Sequence, residues 1–117
     1  MKRDIELIKA ILLRFEEDGD LEIPEFTKAQ VKYHLALLQD AGLITYEQFY
    51  DTDISPAVLS RTRISWAGHE FLDASRSLTL WEKAKNITLE KTGALTFEVL
   101  KTVLIQLAKE AVSNIAT

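Results

Sequence analysis

Two blocks of this chain constrain its fold more than anything else in it. His34-Leu35-Ala36-Leu37-Leu38-Gln39-Asp40-Ala41-Gly42-Leu43-Ile44 is an amphipathic helical pattern that stops at a glycine and runs straight into strand-forming residues. Arg63-Ile64-Ser65-Trp66-Ala67-Gly68-His69-Glu70-Phe71-Leu72 reverses the order, a strand giving way to a helix. Helix, strand, loop, strand, helix is the layout of a winged helix-turn-helix. The expected fold is therefore α+β, mainly α, a winged-helix-like domain with additional C-terminal helices. Such folds serve DNA readers and protein docking modules alike, so function must be argued from the surface.

Upstream, Ile5, Ile8, Ile11, Leu12 and Phe15 recur at helical spacing and predict a helix over about residues 4–18, closing at Gly19 in a left-handed cap. Leu21-Glu22-Ile23 runs into Pro24 and is at most an edge strand against the wing. Thr27 followed by Gln30 reads as a capping box, with Phe26 placed to staple onto Val31, so a second helix begins at Lys28. That start fixes the phase: Val31, Leu35 and Leu38 share one face with His34 at its edge, while Ala29, Tyr33, Ala36 and Asp40 point away. Only residues 21–26 separate the first helix from Thr27, so the supporting helix of an ordinary helix-turn-helix is missing or reduced to a turn.

Residues 43–49 and 61–65 are the expected wing strands, and 50–60, with Asp51, Asp53 and Pro56, the wing loop. A helix resumes at Trp66 with Ala67, Phe71, Ala74 and Leu78 on one face. Thr79 with Glu82 predicts a new start at Leu80, ending near Gly93. Thr96 as N-cap, with a Leu95 to Leu100 staple, opens a last helix over 96–115. Its apolar stripe of Phe97, Leu100, Val103, Leu104, Leu107, Ala108, Ala111 and Val112 is widened by Val99 and Ile105. So wide a stripe needs cover from more than one side. Either it packs wholly within its own subunit, or Val99, Val103, Ile105 and Val112 join two copies in a homodimer, two-fold dimers being the commonest closed assembly. The reading is a single domain, 1–117, with a helix/helix/wing core over 1–65 and C-terminal helices over 66–117.

The 117 residues suffice for one core without staples, and the absence of cysteine excludes disulfides, thiolate metal sites and cysteine nucleophiles. Charged residues interrupt the N-terminal apolar pattern, so neither a signal peptide nor a membrane span is expected and a cytoplasmic location is. Between Glu25 and Ser65, Lys28, Lys32, Arg61 and Arg63 face Glu25, Asp40, Glu47, Asp51 and Asp53, a net of −1. A DNA reader so charged must rely on a few well-placed cations or on dimerisation.

No catalytic constellation emerges. The serines lack a Gly-x-Ser-x-Gly turn, and the scattered glycines form no phosphate-cradling loop. His69 and Asp73 at i, i+4 would share a helical face as metal ligands, but no third ligand accompanies them. The reading favours a structural His34 and a His69 packed under the wing, with no metal or cofactor, and core positions for Trp66 and Trp81. The remaining constellation is Lys28, Gln30, Lys32, Tyr33, Arg61 and Arg63, whose side chains suit phosphates, base edges and groove walls.

Several stretches together resemble domain-of-unknown-function family 2513. They are Met1-Lys2-Arg3-Asp4-Ile5-Glu6-Leu7-Ile8, the block from Val31-Lys32-Tyr33-His34-Leu35 to Gly42-Leu43-Ile44, and Trp66-Ala67-Gly68-His69-Glu70-Phe71-Leu72-Asp73. Trp81 with Lys83 and Lys85, and Phe97-Glu98-Val99-Leu100-Lys101, complete the likeness. The resemblance implies a small protein of bacterial genomes and prophages with a DNA-linked or phage-linked role, and it carries over no catalytic residue. The function expected is a phage- or prophage-type regulator that binds DNA without catalysis. The alternative is a protein-interaction module using the same winged-helix surface.

Overall fold

A computed structural model of the chain describes residues 2–17, 19–45 and 62–116. Over these residues it is mainly helical, with one two-stranded antiparallel sheet: α1 (Ile5–Glu16), α2 (Lys28–Asp40), β1 (Ile44–Thr45), β2 (Arg63–Ile64), α3 (Trp66–Ala74), α4 (Leu78–Thr92) and α5 (Phe97–Ala116). The chain divides into two compact units, Met1–His69 and Glu70–Thr117, with α3 contributing residues to both.

In the first unit, the Asp4 carboxylate starts α1 by accepting from Glu6 N at 2.9 Å and Leu7 N at 3.3 Å. The helix buries Ile5, Leu7, Ile8, Ile11 and Leu12. It stops at Glu17, and Gly19 is not the left-handed cap its position suggested, because only Gly42 and Gly93 among the described glycines have positive φ. Residues 21–23 form no strand. Leu21 and Ile23 are buried individually, and Phe26 N–H closes a turn onto Ile23 O at 3.0 Å. Pro24 has no N–H to extend a ladder, so the chain turns where a supporting helix would otherwise stand.

The capping box of α2 is formed: Thr27 Oγ1 accepts from Gln30 N at 3.1 Å, and Gln30 Oε1 accepts from Thr27 N at 2.8 Å. The phase follows as expected, with Val31, Leu35 and Leu38 buried and Ala29, Tyr33 and Ala36 exposed. At the other end Leu43 N–H reaches Leu38 O at 2.9 Å and Gly42 N–H reaches Gln39 O at 3.0 Å, with Gly42 at φ 75. This is a Schellman stop, and the side chains of Leu38 and Leu43 are both buried beside it. The chain then enters β1, which pairs Ile44 with Ile64 and Thr45 with Arg63. Ile44 and Ile64 point into the core, Thr45 and Arg63 to solvent. Leu43 and Thr62, also expected in the strands, lie outside β1 and β2, and the remaining expected positions, 46–49 and 61, and the wing loop lie outside the described residues.

Ser65 caps α3 rather than ending a strand. Its Oγ accepts from Gly68 N at 3.0 Å and donates to Gly42 O, so one hydroxyl ties the end of α2 to the start of α3. Gly68 is required there: a Cβ would stand 2.1 Å from Leu43 O and 2.6 Å from Ile64 Cγ2. This contact sets the phase of α3, whose buried positions are Gly68, Phe71 and Leu72, followed by Ser75 beyond its end. Of the face expected through Ala67, Phe71, Ala74 and Leu78, Phe71 is buried and Ala74 half-buried, but Ala67 and Leu78 are exposed, and so is Trp66, for which a core position was expected. Trp66 is 81% exposed, and Leu78, 72% exposed, belongs to the next helix.

The second unit is built around Phe71, which meets Trp81 edge-on at 6.0 Å between centroids and Phe97 at 5.1 Å. Trp81, Ala84 and Thr88 of α4 and Phe97, Leu100 and Leu104 of α5 are buried, and Thr88 satisfies its hydroxyl on Ala84 O at 2.8 Å. The cap of α4 is Ser77, accepting from Leu80 N at 3.2 Å, not Thr79, so the helix starts at Leu78 rather than Leu80. It ends as expected at Gly93, φ 74. Helix α5 begins straight after Thr96. Yet the Thr96 hydroxyl is buried without a hydrogen-bond partner among the described residues, so only its backbone serves the helix, through Leu100 N to Thr96 O at 3.0 Å.

Candidate functional site

The outward face of α2 carries Ala29, Tyr33 and Ala36, flanked by exposed Lys28 and half-buried Lys32. Tyr33 is 40% exposed on this face, with its ring edge-on to that of His34 at 5.6 Å between centroids. The first turn of α2 holds no carboxylate. A lysine at the first helical position adds to the positive end of the helix dipole, where an acid is the stabilising choice. Lys28, Lys32 and Arg63 form no ion pair with a described residue. The stripe changes sign only at Asp40, in the last turn. Arg63 lies on the solvent face of the sheet, opposite Thr45.

Two members of the predicted constellation do not join this surface. The side-chain oxygen of Gln30 is committed to the capping box and its backbone carbonyl accepts from His34, so the residue secures the helix start. Arg61 lies outside the described residues.

His34 is structural, and more deeply placed than the edge position expected, at 1% exposure. Its Nε2 accepts from Asp4 N at 2.8 Å while Nδ1 stands 2.8 Å from Gln30 O. A backbone N–H can only donate, so the ring is the neutral tautomer with its proton on Nδ1. The imidazole thereby joins the start of α1 to α2. His69 is exposed rather than packed under a wing, and its neighbour Asp73 pairs with Arg76 at 3.0 Å. Among the described residues no cluster of three or more metal-ligating side chains is present.

Sequence reasoning missed exposed Trp66. The signal that locates it is Ser65 as N-cap, which makes Trp66 the first helical residue and Gly68, two positions on, the packing contact. It also missed a groove within the second unit, about 630 Å³, between the end of α3, with Glu70, Asp73 and Ala74, and Ile105, Ala108 and Val112 of α5. Of the residues expected to join two copies, Ile105 and Val112 line this groove. Val99 and Val103 do not, and are half-buried.

The family model described as hypothetical protein (DUF2513) matches residues 2–94, which span α1 to α4 and stop short of α5. A Haemophilus influenzae protein named uncharacterized protein is 34% identical over 110 residues, covering 88% of this chain and 92% of its own length. No solved structure matches. No described helix is long and apolar enough to cross a membrane.

Proposed function

The chain belongs to the DUF2513 family, and for this member we propose a non-catalytic DNA-binding regulator that uses a winged-helix-like first unit. In this reading the outward face of α2 enters the major groove, Lys28 and Lys32 neutralise backbone phosphates, and Arg63 of β2 grips the strand beside them. The carrying observation is the carboxylate-free, lysine-bearing N-terminal half of α2, whose cations form no ion pair with a described residue. Such placement is unfavourable for an isolated helix and becomes favourable against a polyanion. Ala29 and Ala36 keep the helix surface low on either side of Tyr33, whose hydroxyl suits a phosphate oxygen.

Fluorescence anisotropy with random-sequence duplex DNA across a salt series tests this reading. Lys32→Ala and Arg63→Ala should each weaken binding, and each should reduce the slope of log affinity against log salt by about 0.9, the value of one phosphate contact. No binding at low salt, or unchanged affinity and slope in both variants, overturns the proposal.

Trp66 supports a second reading, a protein-docking surface on the same unit. An indole 81% exposed at the start of a helix is the kind of anchor that dominates protein interfaces. A complex held this way keeps its affinity across the salt series and loses it in Trp66→Ala.

A further inference from the structure

We infer, resting on the DNA-binding reading, that the ring of Tyr33 reads thymine through its methyl group, so that the face of α2 prefers A·T pairs. The hydrogen-bonding groups on that face leave little else to tell one base pair from another. Direct readout in the major groove uses either a side chain offering a matched pair of hydrogen-bonding groups or an apolar group set against the thymine methyl. Gln30 suits the first mode, but its side-chain oxygen accepts from Thr27 N at 2.8 Å, so the amide does not offer oxygen and nitrogen together to an adenine. Ala29 and Ala36 carry no side-chain donor or acceptor. Asp40 suits cytosine, but it is the last residue of α2, about 10 Å beyond Tyr33 along the axis, whereas a recognition helix reads with its N-terminal residues. Lys28 and Lys32 serve the phosphates in the DNA-binding reading. What remains for the base edges is an aromatic ring.

That ring is backed by a fixed neighbour. It packs edge-on against His34 at 5.6 Å between centroids, and the buried imidazole is itself held between Asp4 N and Gln30 O, each at 2.8 Å. A ring so placed loses little freedom when it meets a ligand. The hydroxyl reaches a phosphate oxygen while the ring meets the base edge, where thymine alone among the ordinary bases presents a methyl group. Covering that methyl is worth about fourfold in affinity, as for one buried methylene.

Fluorescence anisotropy of the full chain at low salt, with matched duplexes, tests this. One pair is a duplex of A·T pairs and the same duplex with uracil in place of every thymine. The other is a duplex of G·C pairs, plain or with every cytosine methylated at the ring carbon where thymine bears its methyl. The parent should bind the thymine duplex about fourfold tighter than the uracil duplex, and the methylated G·C duplex tighter than the plain one. Tyr33→Phe should keep the thymine-to-uracil ratio whatever the loss of the hydroxyl does to overall affinity. Tyr33→Ser should abolish the ratio, with helicity by circular dichroism as in the parent. Lys32→Ala should weaken binding to all the duplexes and leave the ratio unchanged. Indifference of the parent to the methyl group in either pair of duplexes overturns the inference while the DNA-binding reading stands, and a preference for A·T that survives the loss of the methyl is then a reading of groove shape. A ratio that persists in Tyr33→Ser overturns it too. No binding to any duplex overturns the DNA-binding reading and this inference together.

Discussion

Helix α2 and the segment from Trp66 to Trp81 look equally well marked in the sequence, yet only the first folds as its markers say. At α2, Thr27 and Gln30 each need the other, Gly42 supplies the left-handed stop, and the apolar phase agrees with both ends. No alternative start satisfies all three. Between α3 and α4 three hydroxyls, Ser75, Ser77 and Thr79, alternate along the chain, and each suits a helix cap. Ser75 bonds back to Leu72 O at 2.7 Å, Ser77 takes the cap, and Glu82, which made Thr79 look like half of a capping box, pairs instead with Lys85 at 3.0 Å. The difference teaches that a cap is legible when its bonds are reciprocal and is ambiguous when several residues compete for one role.

The largest test of that contrast sets the two tryptophans against each other. Trp81, 1% exposed and edge-on to Phe71, should cost about 3 to 5 kcal/mol when changed to alanine, the range for removing a buried large aromatic. Trp66→Ala should change stability by less than about 0.5 kcal/mol, as surface substitutions do. Urea unfolding of both variants reads the difference. Equal losses would mean that Trp66 packs in the core, as expected from the sequence, and that the phase of α3 is wrong.

Leu35 sharpens the other side. It is buried on the face fixed by the Thr27 cap, so Leu35→Ala should destabilise by about 2 to 5 kcal/mol, while Ala36→Ser, one position on and exposed, should stay within about 0.5 kcal/mol. A Leu35→Ala effect as small as that of Ala36→Ser would show that the cap does not set the phase of α2.

The same logic separates what was legible from what was not. The α2 face was readable because a fixed start and a period of 3.6 leave no freedom, which is why Ala29, Tyr33, Ala36 and Asp40 are exposed as expected. Gln30 suited two roles from sequence, groove reader and cap partner, and the local bond took it. Trp66 was misplaced because a large aromatic inside a helical pattern is ordinarily core. What decides it is a tertiary fact, the close approach of Gly68 to the Leu43 carbonyl. The groove was invisible for a stronger reason. Its walls are some thirty residues apart in sequence, and periodicity within α5 shows that Ile105 widens the apolar stripe without showing which neighbour leaves it uncovered.

The smallest expected effects probe the caps themselves. Thr27→Ala removes the hydroxyl half of a reciprocal pair and frees the Gln30 side chain to leave, so it should cost about 1 to 2 kcal/mol, the upper part of the range for losing an N-cap. Ser77→Ala removes a single bond to Leu80 N, without a returning partner, and should fall nearer 0.5 to 1 kcal/mol. Thr79→Ala should be neutral or slightly stabilising: the residue is exposed inside the first turn of α4, and alanine has the higher helix propensity. The order Thr27, Ser77, Thr79 in urea midpoints at constant slope is the expected outcome. If Thr79→Ala costs more than Ser77→Ala, α4 starts at Leu80, and the capping box read from Thr79 and Glu82 is as real as that of α2.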